Sequence, residues 1–151
     1  MTISVDSKAA RERLRACRDA IANGAQRVTE NVIAATARMA QSTRAFKDVT
    51  GDLRRSIKGT TGTLGGFVTA GSSHAGYVEY GNAPRGGDGF IYPKSGKFLK
   101  FAIAGRTVFA KRVRATQARP YMQPARDAAI DLMATGILNI TDTAIRRHNG
   151  G

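Results

Sequence analysis

Between Ser7 and Phe46 apolar side chains return at intervals of three, four and seven residues: Leu14, Cys17, Ile21, Val28, Val32, Ala35 and Met39. That spacing gathers them on one face of a helix. Asp6 or Ser7 can cap its start by accepting a bond from an orphan backbone N–H. Gly24 is the weak point, costing up to roughly 1 kcal/mol relative to alanine, and the helix is predicted to bend or break there. Unbroken, it would span roughly 57 Å at the usual rise per residue. That is long for a single domain of 151 residues, so part of the stripe is expected to meet another subunit.

The pattern then changes. From 50 to 114 the chain is rich in glycine, threonine and aromatic residues, with short apolar runs. Ser56–Thr61 and Gly66–Ser72 read as strands joined by a turn at Thr61–Gly65, and Lys97–Ile103 with Thr107–Arg114 as a second hairpin. Between them Gly81–Gly96 holds five glycines and two prolines. That composition makes no regular element, so a long loop is predicted. Pro120 and Pro124 bracket the start of a last helix within 118–147, since proline is tolerated where a first-turn N–H has no partner. Ala125, Ala129, Leu132, Met133, Ile137, Ile140 and Ala144 form its apolar stripe. The expected fold is a single α+β domain over 1–151: a long helix (7–46), an antiparallel sheet of about four strands with a Gly-rich loop (81–96), and a C-terminal helix.

The formal net charge is +13. Residues 1–50 contribute nine Lys or Arg against five Asp or Glu, residues 51–119 twelve against three, and residues 120–151 three against three. The surplus therefore belongs to the middle of the chain, and its expected partners are nucleic acid or an acidic protein surface. Arg54, Arg55, Lys58, Lys94, Lys97, Lys100, Lys111, Arg112 and Arg114 crowd the sheet region. Such a charge weighs against self-association of the free chain. One cysteine, Cys17, allows no intrachain disulfide and fits folding in a reducing cytoplasm. No run of about 18 apolar residues is present, so no membrane span is expected, and MTISVDSKAARERL lacks the apolar core of a signal peptide.

Catalytic, cofactor and metal sites are not expected. The two histidines, His74 and His148, have no Cys or carboxylate at metal-ligand spacing. Gly59–Gly66 (GTTGTLGG) lacks the Gly-Lys-Ser/Thr ending of a phosphate-binding loop and reads as a hairpin turn. His74 and Glu79 have no third group to orient them, so they read as a polar pair near a strand end. Asp48 and Asp52 around Thr50-Gly51 suit a turn or a helix cap.

Three segments stand in order along the chain: Thr50-Gly51-Asp52-Leu53-Arg54-Arg55-Ser56-Ile57, His74-Ala75-Gly76-Tyr77-Val78-Glu79-Tyr80-Gly81, and Ala118-Arg119-Pro120-Tyr121-Met122-Gln123-Pro124-Ala125. Together they resemble the small neck or tail-component (tail-completion, head–tail joining) proteins of lambda-like long-tailed phages and prophages. In that family a Pro-Val/Ile-Asp run commonly precedes the Thr-Gly, where this chain has Phe46-Lys47-Asp48-Val49.

The resemblance implies a structural virion protein at the head–tail junction, made in the host bacterial cytoplasm. It would be a ring or collar subunit meeting copies of itself and the neighbouring connector, tail-terminator or tail-tube proteins, with non-specific contact to packaged DNA open to it. It implies no catalytic residue. The alternative is a basic DNA-binding protein acting through phosphate contacts, whose affinity would fall steeply with salt.

Within the motifs, Gly51 is expected to make a tight turn and Leu53 and Ile57 to anchor the chain entering the sheet. Tyr77, Val78 and Tyr80 are expected to pack beneath it, and Gly81 to end that element. Pro120 and Pro124 should set the direction of the last helix, with Tyr121 as an apolar anchor. Truncating Tyr77 or Tyr80 would then cost roughly 3–5 kcal/mol, and truncating Glu79 little. In the loop, Phe90, Ile91 and Tyr92 stand together among Arg85, Lys94 and Lys97. An exposed apolar triplet in a mobile loop is expected to dock against a neighbour.

Overall fold

The structure is a computed structural model describing residues 7–63, 65–84, 87–103 and 105–149. Helix α1 (Ser7–Ser42) runs without a break, and helix α4 (Met122–Asn149) packs against it. Gly24 is not a bend. It is buried, and a Cβ there would stand 2.6 Å from Ile140 Cγ2. A Cβ on Gly136 would likewise stand 2.6 Å from Val28 Cγ1. One glycine on each helix thus receives a β-branched side chain from the other, and the order of the pairs makes the helices antiparallel. The expected cost of Gly24 in helix propensity is offset by a close approach that a larger residue would prevent.

Two short helices stand where no helix was expected. Helix α2 (Asp52–Ser56) follows Gly51, whose φ of 76° is left-handed. Helix α3 (Ala75–Tyr80) ends at Gly81, where φ is 72° and a Cβ would meet the Thr116 carbonyl oxygen at 2.7 Å. Strands β1 (Ile57–Gly62) and β2 (Gly65–Ala70) pair antiparallel from Ile57↔Ala70 to Gly62↔Gly65. This hairpin lies on α1: a Cβ on Gly59 or Gly66 would meet Ile33 side-chain atoms at 2.8 and 2.9 Å. The glycine-rich stretch is therefore a floor pressed onto a helix as well as a turn.

The expected four-stranded sheet is instead three two-stranded ladders, six strands in all among the described residues. Strands β4 (Leu99–Ile103) and β5 (Arg106–Ala110) form the second hairpin. Val113 and Arg114, expected to continue it, form strand β6 (Val113–Arg114) and pair with strand β3 (Phe90–Ile91) from inside the expected loop. A second correction concerns α4, which is long and apolar enough by composition to cross a bilayer. Asp131 and Asp142, with the threonines and Asn139 between and beside them, interrupt the apolar run and hide this from a search for an unbroken one.

The core sits at one end of the helix pair, where Ala37, Ala40, Phe46, Leu53, Ile57, Ala75, Tyr121 and Ala125 pack together. Leu53 and Ile57 are each 1% exposed, the anchors the sequence predicts.

Candidate functional site: a junction of three motifs and a basic hairpin

The three motif segments meet at the core end: the first and second contribute groups that close helix termini, and the third supplies the start of α4 that is closed. Asp48 accepts the backbone N–H groups of Gly51 (3.0 Å) and Arg54 (2.8 Å), satisfying the start of α2. The Arg54 guanidinium reaches the other way. It donates to the carbonyls of Gln41, Thr43 (2.7 Å) and Phe46 (3.4 Å) just where α1 ends, and lies 4.7 Å above the Phe46 ring. The last carbonyls of a helix have no partner of their own, and a cation there also favours the helix dipole. Arg54 is thus removed from the exposed basic set in which sequence reading placed it.

Glu79 is buried at 6% exposure. Its Oε2 accepts the backbone N–H groups of Tyr121 (2.7 Å) and Met122 (2.9 Å), and its Oε1 that of Gln123 (3.0 Å). One carboxylate therefore meets three donors at the start of α4, where negative charge is stabilised. Pro124, next in line, lacks the N–H that would need a fourth acceptor. Phe46 and Tyr121 close the junction edge to face, with centroids 5.0 Å apart. Burial, with the Glu79 charge second, pushes the Tyr121 phenol above its ordinary pKa.

Other expectations for these motifs are overturned. Tyr77 and Tyr80 do not pack under a sheet: they are 59% and 82% exposed on the outer side of α3. A six-residue helix directs Ala75, Val78 and Glu79 inward, and the tyrosines take the opposite side. Nor do His74 and Glu79 form a pair. His74 is exposed and shares a 2.7 Å hydrogen bond with Ser72 Oγ. Asp52 is held below its ordinary pKa by the Thr50 hydroxyl and then by Arg55, with His74 contributing least. His74 lies open to solvent beside half-buried Ser72, with no carboxylate hydrogen-bonded to the ring among the described residues, so the arrangement is a turn. Among the described residues no three of His, Cys, Asp and Glu gather as metal ligands.

The loop residues fall into two sets. Phe90 and Ile91 are half-buried in β3, and Arg112 lies 4.2 Å over the Phe90 ring. Tyr92 is half-exposed and donates from its hydroxyl to Asp88 Oδ2 at 2.5 Å. That bond holds the Asp88 carboxyl below its ordinary pKa. Asn82 pairs with Thr116 by donating from its backbone (3.1 Å) and accepting at Oδ1 (2.5 Å), and Ala115 N donates to the Gly89 carbonyl. The loop is thus pinned along the segment leading to α4. Lys94 is exposed, and Arg85 lies outside the described residues.

The β4–β5 hairpin stands apart, with no substantial packing against any other element. One of its faces pairs Leu99 with Ala110, Phe101 with Val108, and Ile103 with Arg106; the other pairs Lys100 with Phe109. Phe98, Ile103 and Phe109 are all at least half exposed, and Lys97, Lys100, Arg106 and Lys111 surround them. Sequence reading placed the apolar anchors in the loop. The larger exposed set is in this hairpin, and its signal was the alternation around Gly105.

Comparison with curated proteins and with solved structures gave no match. Residues 5–81 match a phage protein family described as "Bacteriophage HK97-gp10, putative tail-component". The matched part contains α1, the Thr50–Ile57 motif that closes it, and the His74–Gly81 motif whose Glu79 holds α4. With just over half of its length inside this match, the chain belongs to the HK97 gp10 family of bacteriophage tail components.

Proposed function

We propose that this tail component is a ring or collar subunit at the neck of the virion, completing the tail and joining it to the head-side connector. The carrying observation is the β4–β5 hairpin, an arm of mixed apolar and basic side chains with no substantial packing on any other described element. A lone two-stranded hairpin is marginally stable in water and gains by docking. The capped helix junction supplies the rigid base from which it projects. Phe98, Ile103 and Phe109, with Phe90, Ile91 and Tyr92 beside the base of the arm, would bind the next copy in a ring or a connector, tail-terminator or tail-tube protein. Lys94, Lys97 and Arg85 would steer an acidic neighbour.

Exposed Lys100, Arg106, Lys111 and Arg114 also support non-specific contact with packaged DNA as a second reading. Electron microscopy of lysates lacking this protein tests the neck role. Filled heads and unjoined or unfinished tails are expected, and normal infectious particles would overturn it. Titration of the purified protein against duplex DNA over a range of salt tests the second reading, through the steep loss of affinity that phosphate contacts produce.

A further inference from the structure

Two cavities follow one another along the same side of the helix pair. The first, of about 390 Å³, lies over Ala20, Gly24, Ile140 and Ala144. The second, of about 360 Å³, lies over Val32, Ala35, Leu132 and Gly136. Val28 and Asn31 line both, so the two form one groove with a floor of small and apolar side chains. Arg27, Arg38 and Arg147 stand along it, and among the described residues no acidic side chain lines it. We propose that this groove binds an acidic amphipathic helix of a partner protein, laid between α1 and α4 as a third helix.

Charge and shape both point to that occupant. Arg38 and Arg27 are roughly 16 Å apart along α1. In the antiparallel register set by Gly24 with Ile140 and Val28 with Gly136, Arg147 falls roughly 15 Å beyond Arg27. Among the described residues none of the three is paired with a carboxylate, and Arg27 Nε donates to the Asn23 carbonyl of its own helix at 3.3 Å. The acids nearby are engaged elsewhere: Asp19 holds Arg18, Asp142 holds Arg146, and Glu30 accepts from Gln26 at 2.9 Å. Asp131, next to Leu132, is turned roughly 100° around the helix from it. The groove is therefore positive with an apolar floor. Carboxylates about three turns apart on one helix would meet successive arginines, while Ala20, Ala35 and Ala144 let an apolar stripe approach closely. Duplex DNA fits worse, because its phosphates follow every ~3.4 Å of axis on each strand and gain nothing from an apolar floor. A second copy of the chain also fits worse. Helix α1 carries seven Lys or Arg against three Asp or Glu, and α4 three against three, so neither is an acidic helix.

The probe is a synthetic helical peptide of leucine, alanine and glutamine with glutamates about three turns apart, its binding to the purified full chain read by fluorescence anisotropy. It should bind at about micromolar concentration, and the same peptide with glutamines for glutamates roughly tenfold more weakly. Arg27→Gln with Arg147→Gln should also cost roughly tenfold. Asn31→Trp, at an exposed position where the two cavities join, should abolish binding without moving the thermal melt. Arg11→Gln with Arg15→Gln, on the opposite side of α1, should change affinity by less than about twofold. Absence of binding up to about 300 μM, binding that survives Asn31→Trp, or equal losses for the two arginine pairs overturns the proposal. So does a DNA duplex that displaces the peptide and loses affinity with the same groove variants, which assigns the groove to nucleic acid. The groove shares no residue with the β4–β5 arm, so these outcomes are independent of the neck role.

Discussion

The carboxylate of Glu79 accepts the backbone N–H of Tyr121 at 2.7 Å, across 42 residues of chain, and holds the first turn of α4 from another helix. Glu79→Ala should therefore destabilise the fold by about 2–3 kcal/mol, combining a lost cap with stranded donors. Glu79→Gln, which keeps an acceptor and loses the charge, should cost less. Tyr77→Ala and Tyr80→Ala, on exposed rings, should stay within about 0.5 kcal/mol. Denaturant melts of the four variants would rank them, and a Tyr80→Ala loss as large as that of Glu79→Ala would contradict this packing.

Arg54 does for the end of α1 what Glu79 does for the start of α4. Its fork reaches several carbonyls while its plane covers Phe46. Arg54→Lys should recover little, because a single ammonium neither spans those acceptors nor stacks as a plane does. A loss of about 2 kcal/mol for Arg54→Ala, and more than half of that for Arg54→Lys, is expected from the same melts.

Gly136→Ala tests the helix crossing. Alanine gains up to roughly 1 kcal/mol in helix propensity, but its Cβ would stand 2.6 Å from Val28 Cγ1. Overpacking of that kind costs about 1–3 kcal/mol, so a net loss near 1 kcal/mol is expected. Val28→Ala in the same chain should recover part of it, and a double-mutant cycle showing strictly additive losses would place the two residues apart.

Acid should loosen the Asp88–Tyr92 turn locally. The Asp88 carboxyl is held below its ordinary value, chiefly by the Tyr92 hydroxyl. A lowered folded pKa means the contribution is present above that value and is lost as pH falls through the lower folded one. Hydrogen exchange at Phe90, whose amide also bonds Asp88, should therefore rise below about pH 4. Tyr92→Phe should shift that onset upward.

Periodicity made both long helices legible, and turn composition the β1–β2 hairpin, because each depends on residues near one another in sequence. The helix caps were not. Glu79 sits in a segment whose aromatic neighbours suggest a strand, and nothing local reveals that its oxygens face amides beyond residue 120. The pairing of Phe90–Ile91 with Val113–Arg114 escaped for the same reason: two residues on each side carry no alternation, and the partner is distant in sequence. Gly24 misled because propensity counts what a glycine lacks, and its use here lies in what Ile140 occupies.

The antiparallel pairing of Gly24 with Ile140 and Val28 with Gly136, continued along both helices, brings Ser42 level with Met122. They are flush at the capped end and unequal at the other, where α1 runs about two turns past the end of α4 and leaves Leu14 at 70% exposure. Length can therefore vary at one end alone. Whole turns added or removed between Ser7 and Leu14 would change how far the protein reaches, by about 5.4 Å each, and leave every interlocking glycine in place. The same insertion between Gly24 and Ala40 would slide the helices out of step.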